Sequence, residues 1–215
     1  MGGLVRNPKF WIAGLCLLPL VRLVVLGATG GLGANPIEFV TRSTGTWTLV
    51  GLLMTLSVTP LRRLSGNAGL LRYRRMLGLF AFFYACLHFV TYLWLDQFFD
   101  RAAIARDIVK RPFVTVGFAA FVLLIPLAAT SNQAMMRRLG RNWQRVHRMV
   151  YPIAVLGVIH YLWLVKKDMT QPLIYGGVLI VLLAVRLPWG RAMLQAVCNR
   201  LVPRAPETAE AGTGQ

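Results

Sequence analysis

Three histidines, His88, His147 and His160, carry the chemistry that stands out in this chain. Two of them fall in the stretch 143–167, WQRVHRMVYPIAVLGVIHYLWLVKK, whose basic ends enclose an apolar core. Their separation of thirteen residues corresponds to about 20 Å along a helix. One ring would then sit in each leaflet, since the hydrocarbon slab is roughly 30 Å thick. A polar ring deep in lipid is costly unless something binds it. Neutral imidazole is a common iron ligand, and membrane cytochromes hold haem between histidines on facing helices. His88, on a second apolar segment, supplies the partner that this reading requires. Two blander readings stay open. A lone membrane histidine can simply hydrogen-bond a neighbouring carbonyl. A metal-ion site is the other, although no carboxylate or cysteine stands beside either ring.

The elements that must position these rings are membrane helices. The chain has 215 residues, is 56% hydrophobic, and carries seven acidic side chains. That composition describes a bundle in lipid, not a soluble domain with a polar shell. The net charge of +17 does not mark a nucleic-acid binder, because the arginines cluster between apolar runs, where they serve headgroups and topology. Six spans follow, at 10–28, 47–61, 76–95, 112–129, 143–167 and 172–188, with the second extendable upstream through 44–46. The second is expected to end at Thr59-Pro60, because proline biases its predecessor away from helix. Residues 96–111 read as a short surface helix, and the tail from Pro203 has a disordered composition. The first run competes with a signal peptide, but its length and Arg22 favour a retained helix. Gly27 to Gly33 reads GATGGLG, yet it lacks the strand and helix of a dinucleotide site and is taken as a loop. Cys16, Cys86 and Cys198 show no metal-ligand spacing.

Of the 24 Lys and Arg residues, 16 fall in the two termini and the second and fourth loops, and 7 in the other loops. The positive-inside rule therefore places both termini in the cytoplasm. The fold class expected is all-α: a polytopic six-helix transmembrane bundle with 1–9 as a cytoplasmic terminus, 10–190 as the spanning domain and 191–215 as a cytoplasmic tail. His88 lies eight residues before Asp96 and His160 six before Lys166. Both rings therefore sit about 9–12 Å inside the outer helix ends. Matched depth suits ligation of one iron from opposite sides. His147 lies at the inner boundary, and on a straight helix it points about 140° away from His160.

Several stretches together resemble the MsrQ family of haem-binding membrane subunits, which belongs with the ferric reductase and NADPH oxidase transmembrane domains. They are NPIEFVTRSTGTW at 35–47, TPLRR at 59–63, RRMLGLFAFFYACLH at 74–88, KRPFVTVGF at 110–118, TSN at 130–132 and WQRVHRMVYPIAVLGVIHY at 143–161. The resemblance covers roughly residues 8–190. It implies a ferric reductase-like six-helix bundle in the bacterial inner membrane, with haem b held by His88 and His160. It further implies electron input from the quinol pool, with FMN and a cytoplasmic flavin reductase as candidate contributors. The output would be the periplasmic molybdenum-containing subunit MsrP, which holds the catalytic centre and repairs methionine sulfoxide. A stand-alone ferric or cupric reductase fed by a cytoplasmic flavoprotein is the rival within the same fold. A haem-independent scaffold is the rival outside it.

The oxidase pattern has four histidines, and the fourth would fall at Arg75 or Arg74. A guanidinium stays protonated and is a poor iron ligand. The inner site, with His147, Arg74, Arg75, Arg145 and Arg148 as candidates, therefore differs in kind from the outer one. Forked cationic donors suit a flavin phosphate or a haem propionate, and His147 suits a quinol headgroup. Arg22 lies at a depth close to that of His88 and His160, where it either meets a haem propionate or snorkels to headgroups.

Overall fold

A computed structural model describes residues 8–165 and 168–201. The expectations for Arg6, for the tail from Pro203 and for the side chain of Cys198 lie outside the described residues. The first apolar run forms α1, Pro8–Ala28, with only Pro19 and Leu23 buried. An apolar helix left this uncovered by its own chain is suited to lipid. A polar tie joins it to the bundle: the Tyr84 hydroxyl donates to the Cys16 carbonyl at 2.7 Å.

The glycine-rich stretch is a turn, with Gly30 and Gly33 at φ 72° and 78°, conformations that glycine adopts at no steric cost. It delivers the chain to Asn35-Pro36, a strong helix start. The Glu38 amide donates to Asn35 Oδ1 at 3.2 Å, and Asn35 Nδ2 returns a bond to Glu38 Oε2 at 3.0 Å. Pro36 occupies the first turn, where its missing N–H costs nothing. The resulting α2 runs Pro36–Ser65, to Gly66 at φ 67°.

That helix corrects the expected 47–61 span at both ends, because the threonine-rich stretch before Trp47 and the proline at 60 are both absorbed. Thr44, Thr48 and Thr55 each donate to the carbonyl four residues back, at 2.8, 2.9 and 2.7 Å. Back-bonding of this kind satisfies hydroxyls inside lipid. Pro60 cannot donate to the Leu56 carbonyl. Arg186 does so in its place, while also donating to Leu182 and lying 5.5 Å over the Tyr151 ring. One guanidinium thus closes the gap that the proline opens and ties three helices together.

After a 3₁₀ turn at Ala68–Leu70, α3 runs Leu71–Val90 and continues as a wider π turn, Thr91–Asp96. It packs antiparallel on α2 through small residues: an added Cβ on Gly51 would stand 3.0 Å from that of Ala81. Close backbone approach replaces hydrophobic drive as the source of helix association in lipid. The surface helix expected within 96–111 is α4, Arg101–Lys110, capped by Asp100. Next come α5, Pro112–Ala129, the short α6, Gln133–Leu139, and α7, Arg141–His147. Then follow α8, Val150–Leu164, α9, Thr170–Ala184, and α10, Pro188–Leu201.

Among the described residues four helices are long and apolar enough for a full crossing: Pro8–Ala28, Pro36–Ser65, Ala68–Asp96 and Pro112–Ala129. The fifth expected span, 143–167, is not one helix, because a turn at 148–149 divides it. The helices α8 and α9, of 15 residues each, represent the fifth and sixth spans. At about 22 Å apiece they cover most of the slab. The buried core, including Leu52, Leu56, Ala81, Leu124, Ile153 and Ala154, lies where α2, α3, α5 and α8 meet.

Candidate functional site

Two antiparallel helix pairs, α2 with α3 and α5 with α8, face each other across a cavity of about 410 Å³. His88 enters it from α3 and His160 from α8. Their ring centres are 6.1 Å apart and their planes 76° apart. That separation decides whether one metal fits between them. A metal–imidazole bond of about 2 Å, plus about 1 Å from nitrogen to ring centre, gives about 6 Å across a shared metal. The observed separation is of the size that one shared metal requires.

Each ring is held the same way. His88 Nδ1 lies 2.9 Å from the Thr41 carbonyl and His160 Nδ1 lies 2.7 Å from that of Phe113. A carbonyl only accepts, so each Nδ1 carries the proton and each Nε2 keeps the lone pair that a metal needs. A helical carbonyl is normally screened by the side chain four residues on, because Cα–Cβ bonds tilt toward the helix N-terminus. Here the residues four positions on are Gly45 and Gly117. A Cβ on Gly45 would stand 3.0 Å from the His88 ring, and one on Gly117 would stand 2.6 Å from His160 Nδ1.

The cavity wall is mostly hydrocarbon and aromatic, with Phe89 and Phe121 stacked at 4.6 Å between α3 and α5. Polar groups gather at the end nearest Asp96. Arg42, paired with Glu38 at 2.6 Å, and Arg111, paired with Asp107 at 3.2 Å, both line that end. The hydroxyls of Thr41 and Tyr92 are buried there without a hydrogen-bond partner among the described residues. Orphaned donors beside two guanidinium groups suit the carboxylate edge of an otherwise apolar macrocycle. Arg22 is exposed on α1 and does not line this cavity.

His147 stands apart from the pair and does not line the cavity. Its ring stacks on the Trp143 indole at 3.9 Å, and its Nδ1 donates to the Trp143 carbonyl at 3.1 Å. Its Nε2 lies 3.3 Å from Ser131 Oγ, while Trp143 Nε1 donates to the Thr130 carbonyl at 3.0 Å. Burial holds this imidazole below its ordinary pKa; the bond to Trp143 opposes that, and the nearby Arg74 charge adds to it. Arg74 is half-buried, whereas Arg75, Arg145 and Arg148 are exposed. Arg145 donates to Asn142 at 3.3 Å. Among the described residues no three His, Cys, Asp or Glu side chains form a metal cluster. Sequence reading found the histidines but missed the carbonyls, both glycines, Tyr92, Arg42 and Arg111. The spacing of the glycines and carbonyls relative to the histidines, repeated between the two helix pairs, was the signal that could have found those; Tyr92, Arg42 and Arg111 have no such repeat.

Residues 43–158 match the family described as ferric reductase like transmembrane component. A relative from Herminiimonas arsenicoxydans is 61% identical over 176 residues, 80% of this chain and 81% of its own. One from Bordetella pertussis is 54% identical over 188 residues, 86% of this chain and 90% of its own. A third, from Rhodospirillum rubrum, is 55% identical over 192 residues, 89% of each chain. All three are named protein-methionine-sulfoxide reductase heme-binding subunit MsrQ. No solved structure matches. An all-helical bundle with facing histidines, a family match over more than half of its length and relatives of this similarity agree: the chain belongs to the MsrQ family of ferric reductase-like transmembrane proteins.

Proposed function

We propose that this chain is the membrane electron-transfer subunit of a methionine sulfoxide reductase system. In this reading it takes electrons from the quinone pool, holds haem b between His88 and His160, and serves a periplasmic molybdenum-containing partner, MsrP. The observation that carries the proposal is the 6.1 Å separation of two rings whose Nδ1 atoms are already committed to carbonyls. Haem bound there would supply a one-electron carrier inside the hydrocarbon layer.

The protein's own residues do the rest. Thr41 and Phe113 fix which nitrogen carries the proton and so which one faces the metal. The hydrocarbon wall keeps water from the pair, while Arg42, Arg111, Thr41 and Tyr92 offer donors to carboxylates at the Asp96 end. With both termini cytoplasmic, that end faces the periplasm and the partner. Arg22, exposed on α1 outside the cavity, is read as meeting headgroups and not a propionate. At the cytoplasmic end, His147 is neutral at neutral pH and can take the proton that a quinol gives up on oxidation. Arg74 beside it, with Arg75, Arg145 and Arg148 on the same basic face, suits an anionic flavin phosphate, and FMN is the flavin proposed.

The test is quinol oxidation by proteoliposomes containing the purified full chain, with and without MsrP. Turnover that depends on both proteins is expected. Equal quinol oxidation without MsrP, with ferric or cupric salts as the sole acceptors, would assign the chain to a stand-alone metal reductase instead.

A further inference from the structure

Between Thr41 and Tyr92, ten residues line the cavity, and for every one of them the residue 72 positions later lines it too. His88 and His160 form one such pair, Gly45 and Gly117 another, Leu52 and Leu124 a third. Within 113–164, Phe118 and Ile153 alone lack a lining counterpart. The bonds keep the same register: Thr41 to His88 and Phe113 to His160 each span 47 residues. The connections between the paired helices differ, a short 3₁₀ turn in one case and two short helices in the other. A register that survives such different connections belongs to the helix faces. The two halves are not alike in polarity, since Arg42, Thr48 and Tyr92 stand opposite Val114, Ala120 and Leu164 in the register.

We infer that the cavity is one half-site used twice, and that Gly45 and Gly117 are its positioning residues. Each glycine uncovers a main-chain carbonyl, the carbonyl takes the histidine's Nδ1 proton, and Nε2 is thereby aimed across the cavity. The inference rests on the haem reading above and adds to it a cause for the ring orientations. Alanine favours a helix more than glycine does, so harm from a Gly→Ala change at these positions must come from the lost space. That space is tighter at Gly117, where a Cβ would stand 2.6 Å from Nδ1, than at Gly45, where the nearest ring atom is 3.0 Å away.

The experiment compares Gly45→Ala and Gly117→Ala in the purified full chain with Gly177→Ala, whose Cβ meets nothing within 4 Å. Haem content, the g-values of the ferric low-spin electron paramagnetic resonance signal, and the midpoint potential are read for each. Both site variants should shift g-values and potential, Gly117→Ala the more, with haem retention weakened by about 10–100-fold at the larger extreme. Gly177→Ala should match the wild type. Site variants indistinguishable from Gly177→Ala would overturn the inference. So would failure of both to insert while Gly177→Ala inserts, which would make the glycines packing positions only. His88→Ala and His160→Ala, run alongside, separate the two claims. If they keep the haem the site assignment itself falls; if they lose it while the glycine variants are unchanged, only the positioning role does.

Discussion

His88→Ala and His160→Ala should each yield a protein that inserts normally and has lost its low-spin haem spectrum. Each change removes a ring from a cavity wall together with its bond to a carbonyl of the neighbouring helix. The Thr41 carbonyl still accepts from the Thr44 hydroxyl at 3.0 Å as well as from its own helix, so no buried acceptor is orphaned. The buried core residues Leu56, Ala81 and Ala154 do not line the cavity. Loss of a direct ligand should cost haem retention at least the roughly 10–100-fold that second-shell changes cost at metal sites. Haem content and the reduced α-band of the purified variants measure this. An unchanged spectrum in either variant would remove that histidine from the ligand set.

The second large effect belongs to His147 and has the opposite signature. His147→Ala should leave the spectrum of the haem at His88 and His160 as it is, because His147 does not line that cavity. Reduction of that haem by quinol should instead slow by about 10²–10⁴-fold, the range that a positioned proton acceptor contributes. The neutral imidazole is the active form. Its pKa lies below the ordinary value because of burial, so the rate is full above that lowered pKa and falls as pH drops through it. The variant should lose this acid limb. Stopped-flow reduction by a soluble quinol across pH checks both statements. A variant that reduces at the wild-type rate, with the same acid limb, would leave His147 only its structural contacts with Trp143 and Ser131.

Much of this architecture is legible in the residues. Apolar runs of helical length predict α1 and α5 closely, and Pro112 marks the start of α5 to the residue, whereas α3 begins five residues before its expected start. His88 and His160 stand out because a polar ring in lipid demands an explanation. What was not legible involved partners distant in the chain. Proline at 60 signals a helix end unless another group serves the Leu56 carbonyl, and that group is Arg186, 130 residues away. Gly45 and Gly117 look like ordinary small residues until His88 and His160 are placed over the carbonyls of Thr41 and Phe113. Repeats of 20–50 residues are absent from the sequence, whereas the register that matters is 72 residues and holds only for cavity-facing positions. That register also sets His147 opposite Arg75, the position where a fourth histidine would complete a second pair. With a cation there, the register sets no second imidazole opposite His147.

The most direct test of the central claim is a count of the haem held by the purified full chain, combined with a redox titration of its low-spin signal. One tightly held haem b per chain, titrating as a single low-spin component that vanishes in both His88→Ala and His160→Ala, is the predicted result. Two equally tight low-spin haems titrating with equal amplitude would contradict it, because His147 would then have found a ligand partner that the Arg75 position does not provide.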